Sequence, residues 1–280
     1  MTKRFHKMNK VFPAFFFFLS LLYMTGCSTT KTTYSSDVVA PLKSINLFNG
    51  KNLDGWYTFL QHRGRGNDPK KVFTVKDGLI RISGEEWGCI TTNEEYSNYK
   101  LVFEFKWGTQ TFSPRVTNAM DNGVLLHSTG EDGGSEGIWM HSIECQIIEG
   151  GIGDFIVVGD GTPQFAITSP VAPQKQGNSY VFQPDGSPVT INSGRINWYG
   201  RDKNWKDVKG FRGNNAIEKP AGKWNRVECI AENDKISITL NGTLVNQAFN
   251  VKPSKGRIQI QSEGAEIFFR RVDLTSLSTK

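Results

Sequence analysis

The sequence lacks the 3.6-residue apolar repeat of long amphipathic helices, and this absence excludes the helix-rich fold classes. Cysteine is scarce, with four residues in 280, and no pair has the Cys-x-x-Cys spacing of a structural zinc site. A clustered basic surface is also missing, so the sequence gives no reason to expect nucleic-acid binding. Glycine is plentiful at 29 residues, which suits a chain with many turns.

The N-terminal segment, residues 1–27, has the layout of a secretory signal, with basic residues ahead of an apolar run from Val11 to Met24. The run is too short and wrongly flanked for a membrane-spanning helix. It ends at Thr25-Gly26-Cys27, which resembles a bacterial lipobox and predicts cleavage before Cys27 with lipid attached to its thiol. A plain secreted form without the lipid is the alternative.

Residues 28–42 are polar and are predicted to form a flexible tether. Four basic residues would leave with the signal, lowering the formal net charge from +6 to +2. We therefore expect a protein of the cell envelope, anchored through its lipid to the outer membrane, or a secreted one. The absence of an acidic run after Cys27 favours the periplasmic side, by resemblance to bacterial lipoproteins.

The rest of the chain is predicted to be one all-β domain over residues 43–276. Apolar and polar residues alternate in short runs between turn residues. The clearest runs are Leu101–Trp107, Ser142–Ile148, Arg226–Glu232, Lys235–Gly242, Gly256–Ser262 and Glu266–Leu274. So many strands pack most economically as two antiparallel sheets face to face, a β-sandwich.

Two local signals refine this prediction. Asn241-Gly242 indicates a tight hairpin turn, because both residues accept a positive φ. The proline-rich stretch 162–222 is expected to supply long loops over one sheet face, and such loops are often functional. Cys145 and Cys229 occupy apolar positions of their strands, which favours buried free thiols, with a disulfide among the cysteines as the alternative.

Polar residues concentrate in the stretch 121–154. In the alternation of a strand, Ser142, Glu144 and Gln146 share one face, and the apolar residues between them share the other. We expect the apolar set to face the core and Glu144 and Gln146 to point outward. Gly123, Leu125 and His127 are likewise expected to share a face. A solvated sheet face is the simpler alternative.

Eight blocks of the sequence resemble, in order, those of the 3-keto-disaccharide hydrolase domain family, long catalogued as a domain of unknown function. They are Leu47–Trp56, Val75–Ile82, Tyr99–Trp107, Asp121–Ser128, Ser142–Asp154, Ala221–Glu228, Leu240–Asn246 and Ile258–Leu274. The resemblance implies a concanavalin-like or laminin-G-like jelly roll. It also implies a hydrolase or lyase that cleaves glycosides whose sugar carries a ketone at C3.

That substrate class indicates a chemistry. The ketone acidifies the hydrogen on C2, so a base removes it, the enolate expels the C1 substituent, and water adds to the resulting enone. Glu144 is the candidate base, with His127 and His141 as proton donors or metal ligands. A divalent ion held by His127 and Glu144, with His141 or Glu149, is a further hypothesis.

The candidates for binding an oligosaccharide or glycoside substrate are polar or aromatic residues on loops and strand ends. They are Gln146, Trp139, Trp198, Tyr199, Glu149 and Gln261, with Glu263 beside the last. Trp139 and Trp87 lie beside glycines and are candidate sugar-stacking platforms, whereas Trp107 is in phase with core residues. For His141 and Glu149, a role in turns is the alternative.

Fold alone does not separate an enzyme from a binding protein, because jelly rolls host both. The alternative to the enzyme is therefore a non-catalytic, lectin-like domain that binds carbohydrate. An adhesion or scaffold protein is a third class, and it needs neither a carboxylate base nor a shaped cleft. Loss of Glu144 distinguishes the first two, since a lectin keeps its ligand affinity and an enzyme loses turnover.

Overall fold

The computed structural model describes residues 43–277. The predicted signal (1–27), the lipidation of Cys27 and the tether (28–42) lie outside the described residues and stay predictions. Within the described range, no helix is long and apolar enough to cross a bilayer.

The regular structure of residues 43–277 is β-strand throughout. The strands are β1 (Ser44–Asn46), β2 (Trp56–Leu60), β3 (Gly64–Arg65), β4 (Phe73–Lys76), β5 (Leu79–Ile82), β6 (Gly88–Thr92), β7 (Tyr99–Thr111), β8 (Asp121–Thr129), β9 (His141–Ile148), β10 (Phe155–Val158), β11 (Ala166–Val171), β12 (Tyr180–Val181), β13 (Ser187–Ile191), β14 (Gly194–Asn197), β15 (Asn225–Glu232), β16 (Lys235–Leu240), β17 (Thr243–Lys252), β18 (Arg257–Ser262) and β19 (Ala265–Ser276).

The strands form two sheets. The ten-stranded sheet has the order β13-β11-β17-β16-β15-β7-β19-β5-β4, with β1 also paired to β19. The nine-stranded sheet has the order β12-β14-β10-β9-β8-β18-β6-β2-β3. Strands β12 and β14 run parallel, and the other pairings between these strands are antiparallel. The predicted all-β sandwich is confirmed.

The hairpin signal is also confirmed, because Asn241 and Gly242 have φ values of 48° and 89° between β16 and β17. The prediction for the stretch 162–222 is partly wrong, since strands β11 to β14 lie within it and extend both sheets. Pro188 lies in the edge strand β13, where a missing backbone N–H is tolerated. Residues 198–224 contain no strand and form the long loop expected there.

The core lies between the two sheets. Phe103, Phe105 and Phe269 of the ten-stranded sheet are fully buried and pack with centroid distances of 6.2–6.4 Å. Burying such a side chain contributes about 1.5–3 kcal/mol. Ile143, Cys145 and Ile147 of β9 belong to the same cluster, and so does Trp107, as predicted. The cysteines of the described range, Cys89, Cys145 and Cys229, are buried free thiols, which confirms that prediction.

Candidate active site

The outward face of the nine-stranded sheet carries the polar residues. Because Ile143, Cys145 and Ile147 face the core, Glu144 and Gln146 of β9 point to the opposite side. Gly123 of β8 pairs with Gln146, and Gln261 of β18 approaches Gly123 from the next strand. The predicted orientation of Glu144 and Gln146 is therefore confirmed.

This face is covered rather than solvated. The connection between β8 and β9, residues 130–140, folds back so that Ile138 and Trp139 pack against Cys89 and Leu125 on the sheet. Glu144, Gln146 and Gln261 retain only 4%, 3% and 2% of their exposure. The alternative of a simple solvated face is wrong, because these three side chains are almost fully buried. Burial of polar side chains costs free energy, so a functional role is the better explanation.

A cavity of ≈ 250 Å³ lies between the sheet and this loop. It is lined by Arg115, Asp121, Ser135, Glu136, Trp139, Glu144, Gln146, Ile156, Val157, Val158, Gly159, Arg195, Gln261 and Glu263. The structure therefore brings together five residues singled out from the sequence, namely Glu144, Gln146, Trp139, Gln261 and Glu263.

Trp139 forms part of the apolar wall of the cavity. Only 4% of the residue is exposed, and its ring packs on Trp87 with a centroid distance of 6.4 Å and an angle of 34°. A platform for stacking needs a free ring face. The two tryptophans therefore shape the cavity more than they offer an open sugar platform.

Glu144 lies on the floor of the cavity and its acidity is strongly perturbed. Burial, assisted by the charge of Asp121 and opposed by Arg195, raises the pKa of its carboxyl to about 8. Its Oε1 atom has no hydrogen-bond partner among the described residues. An unpartnered buried carboxyl oxygen that faces a cavity is available to a ligand.

Asp121 is held differently from Glu144. Arg115 donates from Nη2 to Oδ2 of Asp121, and from Nη1 to Asp207 at 3.1 Å. Burial raises the pKa of Asp121 to about 6, with Arg115 opposing it, and burial also raises the pKa of Glu263 well above its usual range. At neutral pH, Asp121 is therefore mostly ionised while Glu144 mostly holds its proton, so the two acids differ in protonation state.

Arg195 brings a positive charge to the same row of side chains. Ile156 of β10 pairs with Glu144 on one side and with Arg195 of β14 on the other. The guanidinium donates from Nη1 to Oδ2 of the fully buried Asp154 at 3.0 Å. Asp154 therefore fixes a cation within electrostatic reach of Glu144.

Asp121, Arg195 and Arg115 are among the cavity residues that the sequence analysis did not single out. Asp121 has the same parity in β8 as Gly123, so the alternation that selected Glu144 contained a signal for it. Arg195 alternates with apolar Ile196 in a short run, which is a weak signal. Arg115 comes from the nine-residue loop between β7 and β8, and nothing in its local sequence marks it.

The predicted pairing of His127 with Glu144 is wrong. Strand β8 has an irregularity after Leu126, and His127 has a φ of 56°, so the alternation does not continue to it. Its ring packs edge-on against the core residue Tyr99 at 5.6 Å, and Nδ1 lies 2.9 Å from the carbonyl oxygen of Pro253. Burial lowers the pKa of His127 to about 4, so it is neutral.

His141 does not line the cavity either. Its ring lies 4.5 Å from that of Phe165, at 33°, beneath the turn that contains Gly134. Neither histidine therefore joins Glu144 as a ligand, and the described residues contain no group of three His, Cys, Asp or Glu placed to hold a metal ion. The donor set of the metal hypothesis does not fit, so we derive no step through a metal.

The other three predicted binding residues also lie elsewhere. Glu149 accepts the backbone amides of Met120 at 3.0 Å and Gly210 at 2.8 Å, so it serves the turns. Trp198 is buried in the core, and Tyr199 packs edge-on against it at 5.4 Å while remaining 47% exposed. None of the three lines the cavity.

Replacing Gly123 with alanine should disturb the floor of the cavity. An added Cβ atom would meet Oε1 of Glu144 at 2.1 Å and Oε1 of Gln261 at 2.4 Å. Both atoms end flexible side chains, so we expect the sheet to form and the free energy of unfolding to fall by about 1–3 kcal/mol. Urea denaturation measures the change.

The control for this variant is a double-mutant cycle with Glu144→Ala. If the carboxyl is what the new methyl group displaces, the Gly123→Ala penalty shrinks once Glu144 is truncated. A penalty of the same size in both backgrounds would contradict the close approach of Glu144 to Gly123.

Comparisons with known proteins agree with this architecture. A candidate glycosyl hydrolase from Parabacteroides distasonis is 17% identical, with a TM-score of 0.50 over 84% of this chain and 94% of that chain. A second from the same organism is 20% identical, with a TM-score of 0.48 over 84% and 100%. A carbohydrate binding module from Bacillus subtilis is 14% identical, with a TM-score of 0.39 over 79% and 96%.

At these identities, the first structure supports the fold and nothing finer. The comparison with curated proteins gives no match. The model of the 3-keto-alpha-glucoside-1,2-lyase-like domain, in contrast, matches residues 43–275, which is most of the chain. The chain therefore belongs to the 3-keto-alpha-glucoside-1,2-lyase-like domain family.

Proposed function

We propose that this protein is a carbohydrate-active enzyme that cleaves glycosides whose sugar carries a ketone at C3. Glu144 removes the C2 proton, the enolate expels the C1 substituent, whose oxygen takes that proton back from Glu144, and water then adds across the double bond of the enone. The observation that carries the proposal is the buried Glu144 carboxyl, with an unpartnered oxygen on the floor of a polar cavity. Membership of the lyase-like family supplies the substrate class.

The chemistry requires a base stronger than an ordinary carboxylate. A hydrogen beside a ketone is only weakly acidic, and the best catalytic pKa lies near the working pH. Burial gives the carboxyl of Glu144 a pKa of about 8, so its ionised form is a much stronger base than an exposed glutamate. The absence of a hydrogen bond to Oε1 in the described residues leaves that atom available to the proton.

The enolate also needs a partner for its developing negative charge. Charge accumulates on the C3 oxygen as the C2 proton leaves. Arg195 lines the cavity, and Asp154 holds its guanidinium in place at 3.0 Å. A preorganised cation among buried side chains stabilises such charge far more than it would in water. Arg195 is therefore the proposed enolate stabiliser.

The remaining cavity residues suit a sugar ring. Gln146 and Gln261 are buried side chains that offer amide groups to sugar hydroxyls. The cavity of ≈ 250 Å³ is smaller than the range of about 300–1,000 Å³ typical of drug-sized ligands. One sugar ring fits such a volume, and the rest of a larger substrate must extend outside it.

The test compares 3-keto glycosides with their unoxidised parents, with release of the C1 substituent as the measurement. Release from the keto compounds alone supports elimination. Release from the unoxidised parents instead indicates a two-carboxylate glycosidase, in which one acid protonates the leaving oxygen. Binding of both without release of either supports the lectin-like alternative.

The pH dependence of kcat/KM should report Glu144. A base acts when it is ionised, and burial raises the pKa of this carboxyl to about 8. We therefore expect kcat/KM to rise with pH through about 8 and to level off above it, and the rise should disappear in the Glu144→Gln variant. A kcat/KM that falls above pH 8 would show that Glu144 acts as an acid in its protonated form.

A further inference from the structure

A second cavity, of ≈ 390 Å³, lies on the other side of Arg195. Its lining includes Arg195, Asn197, Arg201, Asp202, Lys203 and Trp205. Arg195 lines both cavities, so a ligand that fills the first and extends past Arg195 enters the second. The proposed reaction leaves this second cavity without a role.

Its charges are unbalanced. Arg195 and Arg201 both donate from Nη1 to Oδ2 of Asp154, and the other oxygen of that carboxylate accepts the backbone amide of Trp198 at 2.7 Å. Two guanidinium groups therefore share one carboxylate. The side chain of Arg201 is only 7% exposed, and burial lowers its pKa even though Asp154 opposes the change. A buried cation that shares its carboxylate with a second cation favours the approach of an anion.

The surrounding groups do not restore the balance. Lys203 adds a further positive charge to the lining. Asp202, the acid of the lining, accepts the amides of Asn204 at 2.8 Å and Asn214 at 3.0 Å and keeps its negative charge. Together with Asp154 it still leaves one of the three positive charges of the lining unmatched. Burial raises the pKa of Glu218 to about 7, and this acid is therefore only partly ionised at neutral pH.

Polar atoms beside the arginines suit a sugar or a similar polar unit. Asn197 donates from Nδ2 to Gln176 at 3.2 Å, while its buried Oδ1 has no partner among the described residues. That oxygen can accept a hydrogen bond from a hydroxyl group. The guanidinium carbon of Arg201 lies 4.4 Å from the centre of the Trp205 ring and covers one face of it. That face cannot stack on a sugar, so the lining favours ionic contacts and hydrogen bonds over stacking.

We propose that this second cavity binds an anionic group, a carboxylate or a sulfate ester, on the unit that leaves from C1. This inference rests on the proposed function for the identity of that unit. In a glycoside with a terminal 3-keto sugar in the first cavity, the C1 substituent is the neighbouring unit, and the shared residue Arg195 places the second cavity next to it. Planar guanidinium groups match both anions, which supports an acidic leaving group as the preferred substrate class.

The experiment measures affinity rather than turnover. Calorimetry with the full-length protein compares unoxidised aryl α-glucosides whose aryl group carries a carboxylate, a sulfate ester or a neutral carboxamide. We expect the better of the two acidic ligands to bind about tenfold more tightly than the neutral one in low salt, with the preference shrinking as salt is added. The two acidic arms distinguish carboxylate from sulfate.

Variants then identify the residues that cause tighter binding of the acidic ligands. Lys203→Gln should reduce it about threefold and Arg201→Gln should remove it, while Lys51→Gln, which deletes an equal charge on an exposed loop, should leave it unchanged. Thermal unfolding shows whether Arg201→Gln still folds. If it does not, the Lys203→Gln result and the salt dependence decide.

Equal or undetectable binding of the acidic and neutral ligands overturns the inference, and so does a preference that survives in folded Arg201→Gln. Its failure is distinguishable from failure of the proposed function. Cleavage of 3-keto glycosides without an anionic preference overturns this inference alone. An anionic preference without any cleavage overturns the proposed function and leaves the anion site standing.

Discussion

Replacing Glu144 with glutamine should lower the rate of release from 3-keto glycosides by about two to four orders of magnitude. Glutamine keeps the shape of the side chain but cannot accept the C2 proton. Since Gln146, Gln261 and Arg195 remain in place, we expect the affinity for the substrate to change little. Single-turnover kinetics separates the rate of the chemical step from substrate binding.

The matched control is Glu131→Gln. Glu131 lies on the loop over the same sheet face but is exposed and does not line the cavity, so its rate should stay within about twofold of the parent. A Glu144→Gln variant that keeps a tenth or more of the rate would contradict the proposed base. Asp121, the ionised carboxylate of the cavity, would then be the next candidate.

Burial connects the fold to this chemistry. The loop over residues 130–140 closes the polar face by packing Ile138 and Trp139 on the sheet. The same closure desolvates Glu144, and desolvation is the largest cause of its raised pKa. A change that opened the loop would therefore weaken the base, even if Glu144 itself stayed in place.

The sequence predicted the sheet faces well because one simple rule governs them. Side chains of a strand alternate, and the apolar set of β9 has to face the core, which leaves a single orientation for Glu144 and Gln146. Predictions of this kind depend on local pattern alone, so they hold wherever the strand is regular. Gln261, in contrast, was selected for its position near the end of a strand.

The rule failed at His127 because the strand is irregular there. A residue with a φ of 56° turns the chain and moves the following side chains out of phase. Non-glycine residues adopt this conformation rarely, and no Asn-Gly or similar turn signal stands at that point. The metal hypothesis depended on His127, and it failed for the same reason.

The charged partners of the site were beyond any local pattern. The ion pair between Arg195 and Asp154 joins residues 41 positions apart, and that between Arg201 and Asp154 joins residues 47 apart. Arg201 comes from the irregular loop after β14. Side chains this far apart in the sequence meet only in the folded chain, so no local pattern indicates the second cavity.

Removing the shared carboxylate with Asp154→Ala should lower the free energy of unfolding by about 3–5 kcal/mol. The variant leaves the guanidinium groups of Arg195 and Arg201 buried without their partner, and it also leaves the amide of Trp198 without its acceptor. Chemical denaturation measures the loss. Glu95→Ala, which removes an exposed ion pair with Lys255, should cost less than about 1 kcal/mol.

The origin of the Asp154 penalty can be tested by removing one of the stranded charges. In the Asp154→Ala background, Arg201→Met replaces a buried cation with an apolar side chain of similar length, and we expect part of the lost stability to return. No recovery, or a loss below about 1 kcal/mol in Asp154→Ala itself, would contradict the view that this one carboxylate supports the burial of both arginines. Recovery would show that the buried guanidinium of Arg201 depends on a neighbouring negative charge, which is the property that the proposed anion site uses.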